Sequence, residues 1–224
     1  PVADDDVACA GVLSTSSAFA DLNGDGHLDL LVGTLAQGLI VLMNNQRGGF
    51  SKSMVALPEG DSLAIYSTPM TDIDRDGDLD VYLATNRSTS IRNNPDLKFK
   101  LGFANNEQTL ESATDSKTGK QYDNGRFYIM DGKVFEAGTP DYLLLNDGTG
   151  AFQVTTLAQF QANPPGDEAP TKRNWGLGSI FADFNNDYRD DLYVCNDLDG
   201  ADYFYLSSAN GFGNAISGLN NMTP

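Results

Sequence analysis

The residues best suited to chemistry in this chain are carboxylates, and they recur at one spacing. Asp21, Asn23, Asp25, His27 and Asp29 occupy alternate positions of a nine-residue stretch. Asp72, Asp74, Asp76, Asp78 and Asp80 repeat it, and Asp183, Asn185, Asp187, Arg189 and Asp191 give it a third time. Oxygen-bearing side chains stand at positions 1, 3, 5 and 9 in every copy. That spacing lets a tight loop turn its oxygens onto one hard cation, with position 7 (His27, Asp78, Arg189) adding a backbone carbonyl. Carboxylates facing one another repel unless a cation lies among them, and ligation by oxygen alone selects calcium over a transition metal. Calcium is expected in all three loops, most weakly in the third. There Tyr188 replaces Gly at position 6, where the turn needs a positive φ, and Asp190 replaces an apolar residue at position 8.

Helical calcium hands share this signature but need a bidentate Glu at position 12. Here position 12 is Val32, Leu83 or Val194. Each loop runs into a short apolar stretch rich in β-formers, such as Leu30-Leu-Val-Gly-Thr34, and follows another, such as Ala18-Phe19-Ala20. The loop therefore joins two strands, and the helical hand is excluded.

Little other chemistry is on offer. His27 is the only histidine, and its place in the first loop removes histidine-based acid–base catalysis. No nucleophile elbow or phosphate-cradling Gly-Lys-Ser/Thr run occurs. Most paired carboxylates belong to the loops. Asp197, Asp199 and Asp202 read as a turn, Trp175 as packing, and Lys172 and Arg173 as a solvated loop. The expectation is a protein that is not an enzyme.

The elements that position the loops follow a repeat. Strands are expected near Ser14–Ala20, Leu28–Thr34, Leu39–Met43 and Phe50–Leu57, a four-stranded unit of the kind that makes a propeller blade. From Asp21 to Phe50 is 29 residues, as it is from Asp183 to Phe212. From the ninth loop position to that Phe is 21 residues in the first and third repeats but 72 in the second, which leaves an insertion of 51. The expected organisation is a lead-in at 1–13, a first blade at 14–57, a second at 58–161 with the insertion at 87–139, and a third at 162–224. The insertion holds 8 basic and 7 acidic residues in a chain of net charge −17. Within it, Asp131-Gly132 marks a hairpin, Leu97–Leu101 alternates like a strand, and Asn105–Gly125 reads as a polar, mobile centre. The fold class is all-β, a propeller of four-stranded blades.

Phe19-Ala-Asp-Leu-Asn-Gly-Asp-Gly-His-Leu-Asp-Leu-Leu-Val-Gly33 resembles the FG-GAP/VCBS-type repeats of integrin α-subunit heads and many bacterial surface proteins. Asn174-Trp-Gly-Leu-Gly178, Phe181-Ala-Asp-Phe-Asn-Asn-Asp187 and Asn146-Asp-Gly-Thr-Gly-Ala-Phe152 are similar to the subgroup that includes cartilage acidic protein. The resemblance covers nearly all of the chain outside the insertion. It implies a calcium-braced, commonly seven-bladed propeller in an extracellular binding or adhesion protein. Three loop-bearing blades are fewer than closed propellers use, so the chain is expected to be an excerpt of a longer one or to take blades from other subunits.

Strong negative charge argues against nucleic acid as a partner, and no apolar stretch is long enough for a membrane helix. Calcium loops of this kind suit an extracellular or periplasmic setting. Cys9 and Cys195 fall in different repeats, which favours two thiols over one bridge; Asn86 and Asn221 begin glycosylation sequons. The turn geometry of a blade puts the insertion on the face opposite the calcium loops, where a protein or glycan partner is expected. Two rivals stand beside that reading. One is a polysaccharide-active enzyme using Tyr128, Lys133, Arg173 or Trp175, and the other a filament subunit that self-associates through open blade faces.

Overall fold

The computed structural model describes residues 9, 11–58, 63–88, 90, 94–105, 107–122, 124–160, 175–197, 202–208 and 211–214, and among these the chain is almost wholly β. Strands β1 (Ser14–Ala20), β2 (Asp29–Thr34), β3 (Leu39–Asn44) and β4 (Phe50–Val55) form an antiparallel sheet in sequence order. The second repeat begins with β5 (Leu63–Ser67) and β6 (Met70–Thr71), both paired with β7 (Asp80–Arg87). Pro69, which has no N–H to give a ladder, falls at the break between β5 and β6, and its carbonyl accepts the Tyr82 amide. The first strand of every repeat carries a register shift, between Ser14 and Ser16, Ile65 and Ser67, and Gly176 and Gly178.

After β7 the chain leaves the sheet. β8 (Leu97–Ala104), β9 (Glu107–Asp115) and β10 (Gln121–Tyr122) make a three-stranded sheet; β11 (Phe127–Met130) and β12 (Lys133–Glu136) make a hairpin. Asp131 and Gly132 close that hairpin with φ of 51° and 72°, the left-handed pair that such a turn requires. The expected mobile centre at Asn105–Gly125 is corrected. Glu107–Asp115 is one of the longest strands, paired along its length with β8. Its alternation is concealed because Gln108, Thr109 and Leu110 are all half-buried and only Ala113 and Asp115 are fully inside. The chain then returns to the second sheet through β13 (Tyr142–Asn146), which pairs with β7, and β14 (Phe152–Thr155). A one-turn helix α1 (Leu157–Phe160) follows. The third sheet is β15 (Gly176–Ala182), β16 (Asp191–Asn196), β17 (Tyr203–Ser208) and β18 (Gly211–Asn214), again in sequence order.

The three repeat sheets stack through their faces. β7 is buried on both sides because its residues alternate between two cores. Val81 and Leu83 join Leu31, Leu39, Val41 and Ile65 between the first and second sheets; Tyr82 and Ala84 join Leu192, Val194 and Tyr205 between the second and third. Close approach of the first two sheets is set by glycine. A Cβ on Gly33 would lie 2.8 Å from Ile65 Cγ2 and 2.9 Å from its carbonyl oxygen, so only Gly fits there. Each acidic loop joins the first two long strands of its repeat. In the second repeat the loop ends where β7 begins, at Asp80, and the insertion departs from the other end of β7, at Arg87.

Candidate metal centre

All three acidic loops fold alike. Positions 4 (Gly24, Arg75, Asn186) and 6 (Gly26, Gly77, Tyr188) are left-handed in every one, with φ from 61° to 101°. Sequence reasoning foresaw the requirement at position 6 and missed the one at position 4. Tyr188 takes φ 64° without disturbing the loop. In the first and third loops the position-1 carboxylate accepts the amides of positions 5 and 6. Asp21 takes Asp25 N (3.1 Å) and Gly26 N (2.8 Å), and Asp183 takes Asp187 N (3.0 Å) and Tyr188 N (2.8 Å). The position-5 carboxylate caps the position-7 amide in all three, at 2.9, 3.1 and 3.0 Å.

The second loop departs from this at one atom. Asp72 Oδ2 accepts Gly77 N at 3.1 Å, but Asp72 Oδ1 is buried and has no hydrogen-bond partner. Asp72, Asp74 and Asp80 each offer an oxygen within 4.8 Å of the others. Burial and the neighbouring Asp76 carboxylate raise the Asp74 pKa, and burial pushes Asp80 up to about 6. A buried carboxylate oxygen without a donor, beside the raised Asp74 and Asp80 carboxyls, is uncompensated negative charge. These residues fit a hard divalent cation.

The ninth position has a task that sequence spacing alone did not reveal. Asp29, Asp80 and Asp191 are fully buried, and each uses its two oxygens on two backbone amides. One amide belongs to loop position 2: Leu22 (2.9 Å), Ile73 (2.9 Å) or Phe184 (3.1 Å). The other belongs to the third strand of the same sheet: Asn44 (2.7 Å), Asn146 (2.9 Å) or Ser207 (2.8 Å). The carboxylate thus clasps the loop to the sheet. A carboxylate has lone pairs enough to accept both amides and still face a cation.

The turn after the third strand buttresses the loop. Gln46 Nε2 donates to Asp25 Oδ2 at 2.9 Å, the main cause of a lowered Asp25 pKa. Asn146 Nδ2 donates to Leu22 O of the first loop (2.8 Å) and to Leu79 O of the second (3.2 Å), tying two repeats together. Gly148, at φ 77°, packs so closely on the second loop that a Cβ would stand 2.5 Å from Asp78 Oδ2. The Asn-Asp-Gly-Thr-Gly motif at Asn146–Gly150 is thereby accounted for.

His27 is exposed, and Trp175 is half-buried with its carbonyl extending the pairing to Asp197 N. Asp202 caps its turn by accepting Asn196 N at 2.8 Å, whereas Asp199, Lys172, Arg173 and Asn221 lie outside the described residues. Tyr128 stacks on Phe135 across the β11–β12 hairpin, on which Lys133 is exposed. Cys9 and Cys195 are free, and the sequon residue Asn86 is buried. Sequence reasoning missed the buried phenol of Tyr82, which donates to Asp141 at 2.6 Å and is raised well above an ordinary tyrosine by burial. It also missed Glu136, which takes Arg126 in a buried pair at 3.2 Å and Arg87 at 3.7 Å, fastening the insertion to the end of β7.

Among the described residues no helix is long and apolar enough to cross a membrane. No curated protein and no solved structure matches the chain. Residues 21–83, spanning the first two acidic loops and the sheets between them, match the FG-GAP-like repeat family. Within that span the chain carries FG-GAP-type repeats.

Proposed function

We infer that the three stacked sheets are blades of a β-propeller braced by calcium, and that the whole acts as an extracellular binding module and not as an enzyme. The observation that carries the calcium reading is the second loop, where Asp72, Asp74 and Asp80 converge within 4.8 Å and Asp72 Oδ1 is buried without a donor. Asp21, Asn23, Asp25 and Asp29 with the His27 carbonyl would hold the first ion. Asp72, Asp74, Asp76 and Asp80 with the Asp78 carbonyl would hold the second, and Asp183, Asn185, Asp187 and Asp191 with the Arg189 carbonyl the third. Calcium supplies positive charge that offsets the clustered carboxylates, and its binding is linked to folding.

The blade reading draws support from the face-to-face stacking and from the outermost sheets. The first sheet leaves Phe19 and Met54 exposed and the third leaves Leu177 and Ile180, so the stack has apolar residues that further blades would cover. Binding is favoured over catalysis because the one histidine is exposed in a loop and the Tyr82 hydroxyl is buried and spent on Asp141. The insertion is the first surface proposed for a protein or glycan partner, being long, comparatively basic, and joined to β7 at the end away from the acidic loops.

Replacing residues 88–138 with a short linker tests this assignment. Thr139 is retained because its hydroxyl pairs with Thr85 at 2.9 Å in the buried stem. Calcium-dependent melting should survive and partner capture should be lost. Unfolding of the shortened chain, or full capture by it, would refute the placement.

A further inference from the structure

A cleft of about 570 Å³ opens between the second and third acidic loops, within the ~300–1,000 Å³ range of small-ligand pockets. Tyr188 and Asp190, at which the third loop departs from the other two, and Arg189 between them all line it. Asp190 Oδ2 accepts the Thr71 hydroxyl at 2.6 Å, which joins the two walls of the cleft. Tyr188 is 95% exposed at φ 64°, where the other loops have Gly26 and Gly77. A bulky residue enters that conformation only against a steric penalty, and an exposed ring offsets none of it by packing. Arg75, also lining the cleft, and Arg189 make no side-chain hydrogen bond or ion pair among the described residues, in a chain of net charge −17. Ser207 Oγ, from a further lining residue, is buried and unpartnered.

We propose that this cleft binds a carboxylate-bearing saccharide, a short uronic-acid oligomer, with Tyr188 against a pyranose face and Arg75 and Arg189 on the carboxylates. Planar guanidinium groups match carboxylates in two-pronged fashion. A tyrosine offers an apolar face to the C–H side of a sugar ring and a polar tip to its hydroxyls. An acidic peptide would engage the two arginines but leave the strained, exposed ring without a purpose. The proposal rests on the binding-module reading and narrows it, at the loop end of the sheets and apart from the insertion.

The test is calorimetric titration of the intact chain in about 1 mM calcium, within the range that loads extracellular modules. Trigalacturonate is the probe and maltotriose the neutral comparison. Trigalacturonate should bind saturably, and maltotriose at least about tenfold more weakly. Arg189→Gln and Tyr188→Gly should each weaken trigalacturonate binding about tenfold, the order of effect of losing one charge-assisted or stacking contact. Tyr188→Gly should melt no lower than the parent, since Gly relieves the positive φ. Absence of saturable binding, equal binding of maltotriose, or variants that bind like the parent would overturn the proposal. Melting of the same samples with calcium and with chelator separates the two readings. A calcium-dependent rise without saccharide binding sinks this proposal alone, and absence of that rise sinks the calcium reading.

Discussion

Asp29→Ala distinguishes the clasp from the cation. The Asp29 side chain is fully buried and accepts Leu22 N at 2.9 Å and Asn44 N at 2.7 Å. Truncation strands both amides; each costs about 1–3 kcal/mol when buried without a partner, and water reaches Asn44 more easily than Leu22. A loss of roughly 2–5 kcal/mol is expected, a large share of the ~5–15 kcal/mol that holds a domain together. At about 2–4 °C per kcal/mol for a chain of this size, melting falls by on the order of 10 °C. Asp25, in the same loop, is exposed and caps only local amides and Gln46. The assay is urea unfolding followed by far-ultraviolet circular dichroism, run in chelator and again in calcium. In chelator Asp29→Ala should keep most of its stability deficit while Asp25→Ala stays near the parent; in calcium both should fall below it. Equal losses for the two variants in chelator would refute the clasp.

Gly148→Ala should weaken calcium at the second loop by about tenfold or more, because the new Cβ meets Asp78 Oδ2 at 2.5 Å and φ is 77°; a calcium titration reads it directly. Burial holds the Asp80 pKa at about 6, above its ordinary value. In chelated protein its contribution to stability is therefore complete below about pH 4 and is lost as pH rises through about 6. Calcium needs the ionised form, so affinity at the second loop should fall as pH drops below about 6, which calcium titrations on either side of that value would show. Arg126→Ala leaves Glu136 buried at the stem of the insertion, with Arg87 at 3.7 Å as a weaker substitute, and should cost about 3–5 kcal/mol. The loss should be confined to the insertion, raising amide exchange in β11 and β12 but not in β1–β4.

The strands and loops were legible because their signals are local. The apolar run of Leu39–Met43, the Asp131-Gly132 turn and the spacing of acidic residues within each loop can each be read over a few residues. The 72-residue interval in the second repeat located the insertion, and the structure places β8–β12 between β7 and β13. What stayed hidden depends on residues far apart in the chain. Asn146 reaches Leu22 across 124 positions, and Thr71 meets Asp190 across 119. The clasp made by Asp29, Asp80 and Asp191 was invisible in the sequence because a cation ligand and a backbone clasp would call for the same residue at the same position. β9 was concealed by composition, since a strand half-buried along much of its length has no clean two-residue alternation to read.

Calcium binding itself is the most direct test. The decalcified chain should be titrated with calcium by isothermal calorimetry near neutral pH, with melting recorded on the same samples. The expected result is heat from at least the first two loops, a weaker contribution from the third, and a melting temperature that rises with calcium and falls again on chelation. No heat, together with identical melting in calcium and in chelator, would contradict a calcium-braced fold.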